Sequence, residues 1–234
     1  MADRPQPPAT KSSNLAGFLQ QVAKIPAKAT SGVHPGRLLF ALDATASREP
    51  GWQLAMRTQQ AMFDKVAELG GLEIQLAYYR GFAEFQHSAW HNTSQALTSR
   101  MAEVYCVQGL TQIHRIFKHT LDESRNSKIH ALVFIGDSIE EDVPLLQRLA
   151  GQLGIKGIPA FLFQEGFDPN TEAVFTQLAK LSGGASCHFN ADSPEQLKAL
   201  LEAVAVYAAG GHKAVQQLAR QSTHEVRRLI QQLR

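Results

Sequence analysis

Leu38-Leu39-Phe40-Ala41-Leu42-Asp43-Ala44-Thr45-Ala46-Ser47 is the stretch on which the reading of this chain turns. Its first five residues form an unbroken apolar run, the mark of a strand buried on both faces. Its last five place an aspartate and two hydroxyls at every second position, where such a strand ends. That donor set suits a hard cation. Mg²⁺ takes oxygen ligands in a near-octahedral shell and keeps several waters. One carboxylate with two neutral hydroxyls holds such an ion without cancelling its charge, which leaves it able to attract an acidic group from elsewhere.

Downstream of Arg37, strands alternate with helices. The sequence predicts strands at 38–43, 72–79, 129–135, 157–163 and 185–189, with a hairpin strand over Phe82–Phe85 after Gly81. Helices are predicted at 48–69, 94–104, 110–122, 141–153, 171–182 and from a Ser193 cap to 208. Gly70-Gly71 and Gly183-Gly184 are helix-stop signals. The runs 38–42, 129–135 and 158–163 barely alternate, so both of their faces should be covered. The pattern predicts an α/β fold: a doubly wound, mostly parallel sheet with one antiparallel edge strand and helices on both faces, Rossmann-like in plan.

Three units follow. Residues 1–36 read as a disordered start, a short amphipathic helix with Leu15, Phe18, Leu19 and Val22 on one face, and a linker. Residues 37–209 are the α/β domain. Residues 210–234 form an amphipathic helix, with Val215, Ala219, Ser222, Val226, Leu229 and Leu233 as its apolar seam; it either docks on its own domain or meets a partner.

Composition narrows the function. The chain has 234 residues, 44% of them hydrophobic, and a net charge of +2. That charge gives no nucleic-acid signal, and no run is long enough to span a bilayer. The start lacks the apolar core of a signal peptide. The two cysteines, Cys106 and Cys187, fit a reducing compartment as buried, inert thiols. A cytoplasmic location is the expectation.

In open α/β sheets, ligands bind beyond the carboxyl ends of the strands. Three loops there bring oxygen: Asp43, Thr45 and Ser47; Gly109-Leu110-Thr111; and Gly136-Asp137. Structural explanations exist for each. Ser47 could cap the helix that follows, Thr111 the next one, and Ser138 with Glu141 has capping-box spacing. Capping does not account for Asp43 and Asp137, two carboxylates ending two apolar strands. Such a pair repels unless a counter-ion stands between. Glu140, Glu141 and Asp142 read as solvated acids at a helix start.

These residues carry a resemblance. The chain resembles a von Willebrand factor type A (VWA) domain, whose metal-ion-dependent adhesion site has the form Asp-x-Ser-x-Ser, then a distant Thr, then a distant Asp. The matching residues are Asp43, Thr45, Ser47, Thr111 and Asp137, over a region from about Leu38 to Tyr207. The late segment Phe175 to Phe189 resembles the family's last helix–strand step, and Asp192 to Leu197 the start of its final helix. Two departures stand out: Thr45 in place of the first serine, and Gly136-Asp137-Ser138 where the family often has Thr-Asp-Gly.

The resemblance implies a set of roles. Thr45 and Ser47 would bind the metal directly, Asp43 and Asp137 largely through water, and Thr111 either way. Mg²⁺ is the implied ion, with Mn²⁺ or Ca²⁺ as substitutes. A protein partner would offer an Asp or Glu to the open position. Intracellular members often work beside ATPases or assembly complexes. The chain would then be a divalent-cation-dependent interaction module and not an enzyme.

Two rivals remain. One is a scaffold that binds through its terminal helices around a structural ion. The other is a haloacid-dehalogenase-like phosphatase with Asp43 as nucleophile and Gly136-Asp137 to Asp142 as its metal segment. Thr45 stands where many such phosphatases place a second aspartate for acid–base work. About 90 residues of α/β pattern after Asp137 also fit the VWA order better. His87 and His91 have metal-like spacing but fall in the predicted hairpin, and His114 follows Thr111 inside a helix, facing solvent or a strand.

Overall fold

A computed structural model describes residues 17–18, 20–22, 35–66, 71–190 and 194–232, with backbone alone for 66, 212, 216 and 219–232. Its centre is a six-stranded sheet in the order β3-β2-β1-β4-β5-β6. The strands are β1 (Gly36–Asp43), β2 (Leu72–Arg80), β3 (Glu84–His91), β4 (Ala131–Gly136), β5 (Ala160–Glu165) and β6 (Ala185–Phe189). All pair in parallel except β3, which runs antiparallel to β2 at one edge.

Two-residue periodicity divides the central strands between two cores. Leu38, Phe40 and Leu42 face one side, with Val133 and Ile135. Leu39, Ala41, Leu132 and Phe134 face the other. The first face is covered by α1 (Glu49–Thr58), α2 (Gln60–Val66), α3 (Ser94–Ala102) and α7 (Pro194–Gln232). The second is covered by α4 (Ile113–Asn126), α5 (Val143–Lys156) and α6 (Pro169–Ser182). Double coverage is why the central strands show little alternation in sequence.

Several boundaries differ from the predictions. The helix expected over 48–69 is three pieces: a 3₁₀ turn at Ala46–Arg48, then α1 and α2 on either side of Gln59. Gln59 is buried, and its amide donates to the Ser94 hydroxyl at 2.8 Å. Residues 67–69 lie outside the described residues. The hairpin strand starts later and runs longer than Phe82–Phe85, because Gly81, Phe82 and Ala83 form the turn. The expected helix at 110–122 begins only at Ile113, and residues 110–112 form no regular element beside the site. Gly157, at φ 68°, ends α5 three residues late, which delays the start of β5 to Ala160.

The terminal segments contribute to the first core where they are described. Residues 17–18 and 20–22 are helical, with Phe18 and Val22 fully buried. The Phe18 ring meets the Phe163 ring edge-on at 5.4 Å. Helix α7 breaks at Gly211 (φ 66°, ψ −164°) and then resumes. Val215, the first seam residue, is fully buried in the same core. The start expected to be disordered, Leu15, Leu19, the expected Ser193 cap and the side chains of the rest of the seam lie outside the described residues. Among those described, no helix is long and apolar enough to cross a membrane.

Candidate metal centre

Strand order reverses between β1 and β4: from β1 the chain moves outward to β2 and β3, then returns to β4, β5 and β6. This switch point opens a crevice at the carboxyl ends of the strands. Asp43 ends β1, and Asp137 directly follows β4.

Asp43 is 2% exposed. Its Oδ1 accepts the Thr45 N–H at 2.7 Å, and its Oδ2 accepts the Tyr79 hydroxyl at 3.1 Å. Tyr79 is its neighbour across the β1–β2 ladder and is wholly buried. Burial raises the Asp43 carboxyl above the usual carboxylate range; the Thr45 hydrogen bonds pull it down, the Asp137 charge pushes it up, and Arg48 lowers it. Burial, and then the Asp43 charge, hold the Tyr79 phenol well above its ordinary value, so it stays a donor.

Ser47 caps no helix. It sits in the 3₁₀ turn, and its hydroxyl crosses to donate to Asp137 Oδ2 at 3.1 Å. Ser138 donates to Asp137 Oδ1 at 3.3 Å. Thr111 is no cap either, since α4 has Gln112 in that place without a side-chain bond. Thr111 and Glu140 instead bond reciprocally: the Thr111 N–H donates to Glu140 Oε2 at 3.1 Å, and the Glu140 N–H donates to Thr111 Oγ1 at 3.0 Å.

The acids read as solvated are therefore partly committed. Glu141 accepts the backbone N–H groups of Ile113 and His114, so it satisfies two of the open donors at the N-terminus of α4. His114 Nδ1 also lies 2.8 Å from Glu141 Oε1, a partner the sequence reading did not assign. The Ser138–Glu141 capping box does not form, because α5 starts at Val143 with Asp142 before it.

The hydroxyls share a cavity of about 210 Å³, lined by Thr45, Ser47, Gly109, Thr111, Ser138 and Glu140. That is room for an ion with bound waters. Asp43 and Asp137 stand behind this lining, hydrogen-bonded to Thr45 and Ser47. Of the five residues picked from sequence, Thr45, Ser47 and Thr111 thus line the crevice, and Asp43 and Asp137 are joined to it by hydrogen bonds.

Arg48 offers the two carboxylates little relief. It is buried with the guanidinium 2.5 Å from Glu165 Oε2. Gly51 makes room for that pair, since a β-carbon there would lie 2.0 Å from the Glu165 oxygen. Arg48 is paired with Glu165 and pulls on Asp43 only at a distance, and neither Asp43 nor Asp137 forms an ion pair among the described residues. An oxygen-only donor set, two such carboxylates and a polar-lined cavity fit a divalent cation. Among the described residues no three His, Cys, Asp or Glu side chains gather into a ligand group, so hydroxyls must complete any such shell.

Tyr79, Glu140 and the Arg48–Glu165 pair were missed from sequence. Tyr79 carried a weak signal, as the last inward residue of a strand adjoining β1. Glu140 was hidden inside a run of acids. The Arg48–Glu165 contact spans over a hundred residues and had none.

No protein-family profile matches the sequence, and no curated protein sequence matches it. Solved structures do match. The VWA domain of SpRpn10 is similar with a TM-score of 0.57 at 15% identity, over 71% of this chain and 94% of that one. A von Willebrand factor type A protein from Catenulispora acidiphila gives 0.59 at 14%, over 76% of this chain and 43% of that one. An aerotolerance-related membrane protein from Bacteroides fragilis NCTC 9343, carrying multiple mutations to serines, gives 0.55 at 15%, over 71% and 98%. The chain has the VWA fold.

Proposed function

We propose that this protein is a divalent-cation-dependent protein-interaction module that engages an acidic side chain of its partner. The observation that carries the reading is the pairing of two uncompensated carboxylates, Asp43 and Asp137, with the hydroxyls of Thr45, Ser47 and Thr111 at one crevice. Thr45, Ser47 and Thr111 would hold the ion, and Asp43 and Asp137 would act from behind them, through water. A bound Mg²⁺, or Mn²⁺ or Ca²⁺ in its place, supplies a positive point to which a partner's Asp or Glu is drawn. Tyr79 and the Thr45 N–H fix the Asp43 carboxylate, and Ser47 and Ser138 fix that of Asp137.

The reading includes no catalysis. Both Asp43 oxygens are held by donors and the side chain is buried, a poor arrangement for attack on phosphorus. The scaffold alternative needs free apolar faces on the terminal helices. Among the described residues of those faces, Phe18, Val22 and Val215 are instead spent on the domain's own core. Both thiols are pushed up to about 12, Cys106 by burial and its bond to Glu49 and Cys187 by burial, which keeps them protonated. Inert thiols suit a reducing compartment, and we place the module in the cytoplasm.

The test is partner capture from a lysate on immobilised protein, with Mg²⁺ and with EDTA, alongside Asp137→Ala. The reading expects capture with Mg²⁺ alone and none by the variant. Equal capture in EDTA would overturn it.

A further inference from the structure

Six large apolar side chains are exposed among the described residues, and four of them stand on the loops at the carboxyl end of the sheet. Phe82 (73% exposed), Tyr105 (64%) and Leu110 (49%) lie on one side of the crevice, and Phe167 (65%) on the β5 side. Isolated exposed apolar residues need no explanation. Three joined through rigid backbone beside a polar crevice do.

The first three are tied together by hydrogen bonds. The Leu110 N–H donates to the Gly81 carbonyl at 3.2 Å, and the Gln112 amide donates to the same oxygen at 3.1 Å. Arg80 donates to the Tyr105 carbonyl at 3.1 Å, and its guanidinium lies 4.1 Å from the Tyr105 ring centre. Arg115 donates to the Ala83 carbonyl at 3.0 Å. Gly109 packs so closely on Gly81 that a β-carbon would lie 1.9 Å from its carbonyl oxygen. The turn carrying Phe82 and the loop carrying Tyr105 and Leu110 therefore behave as one body. Surfaces fixed before binding lose little entropy on binding.

We infer that Phe82, Tyr105 and Leu110 form a docking surface for an extended acidic–apolar segment of a protein partner, whose carboxylate enters the adjacent crevice. The inference rests on the cation-dependent reading and names the partner's chemistry. Leu110 directly precedes Thr111, and consecutive Cα atoms are about 3.8 Å apart. An apolar side chain one to three residues from the partner's Asp or Glu thus reaches the patch. Area decides against a second copy of this chain: the three side chains offer roughly 400 Å², half of the about 800 Å² per partner that a stable protein pair buries. A short segment anchored at a charge needs no more.

The experiment selects a random phage-displayed peptide library on the full chain in Mg²⁺, then measures the enriched peptides against Phe82→Ser/Leu110→Ser. Both side chains are exposed, so the double variant should keep the far-UV spectrum and melting temperature of the parent. The expected peptides carry Asp or Glu with an aromatic or aliphatic residue within three positions, elute in EDTA, and bind the double variant at least about tenfold more weakly. Peptides without the apolar residue, peptides indifferent to the double variant, or no enrichment would each overturn the docking surface. Peptides that resist EDTA yet are lost on the double variant would sustain the surface and overturn the cation reading beneath it.

Discussion

Glu165→Gln tests the electrostatic frame of the site. The Arg48 side chain is 3% exposed and that of Glu165 13%, at 2.5 Å. The contact is made by a terminal guanidinium nitrogen, and Arg48 Nε has no hydrogen-bond partner. Removing the carboxylate charge leaves a guanidinium buried and unpaired, which costs about 3–5 kcal/mol. The replacement amide keeps the shape and can still accept one bond, so the lower end, ~3 kcal/mol, is the expected loss. For a domain of this size each kcal/mol moves the melting temperature by about 2–4 °C, so the drop should be roughly 6–12 °C. A second effect should accompany it. Freed from Glu165, Arg48 keeps its positive charge near Asp43, whose carboxyl it already pulls downward. The variant should therefore bind Mn²⁺ more weakly than the parent while remaining folded at 20 °C. Urea titration gives the first quantity and calorimetric Mn²⁺ titration the second. A stability loss under about 1 kcal/mol, the range of an exposed ion pair, would refute the claim that Arg48 is neutralised only by Glu165.

Three further outcomes follow from the same geometry. Gly51→Ala, a gain of about 1 kcal/mol in an open helix, should destabilise here because its β-carbon meets the Arg48–Glu165 pair; a rise in melting temperature would contradict the packing. Tyr79→Phe removes one of two donors from the buried Asp43 carboxylate, and a bond to a charged group is worth about 1.5–3 kcal/mol; urea titration should show that loss near neutral pH and a smaller one in acid, where Asp43 is protonated. His119 and His130 are each held down to about 4, chiefly by burial. Their folded forms favour the neutral ring, so their contribution is whole above the ordinary value of about 6.5 and is lost as pH falls toward 4; urea midpoints across that window should decline, and those of His119→Gln/His130→Gln should decline less.

The fold was largely legible because it rests on local pattern. Apolar runs such as Leu38–Leu42 and Ile129–Ile135 mark strands covered on both faces, and Gly183-Gly184 marks a stop that the left-handed Gly183 provides. Boundaries failed where distant contacts set them. Gln59 ends α1 while bonded to Ser94, thirty-five residues away, and Gln112, just before α4, reaches to Gly81. The five residues of the candidate site could be picked from sequence because each is at a strand or loop end with an unusual oxygen donor. Its supports could not, since Tyr79, Glu140 and Glu165 act only through partners that folding brings near. Ser47 is the instructive case: its position fits a helix cap, and only the approach of Asp137 shows where its hydroxyl goes.

The most direct measurement is calorimetric titration of the purified chain with Mn²⁺, compared with Asp137→Ala and Ser47→Ala at neutral pH. The account predicts one ion per chain for the parent, competed by Mg²⁺, with binding lost in Asp137→Ala and weakened in Ser47→Ala while both variants keep the fold. A parent that takes up no ion, or an Asp137→Ala variant that binds as tightly as the parent, would contradict it.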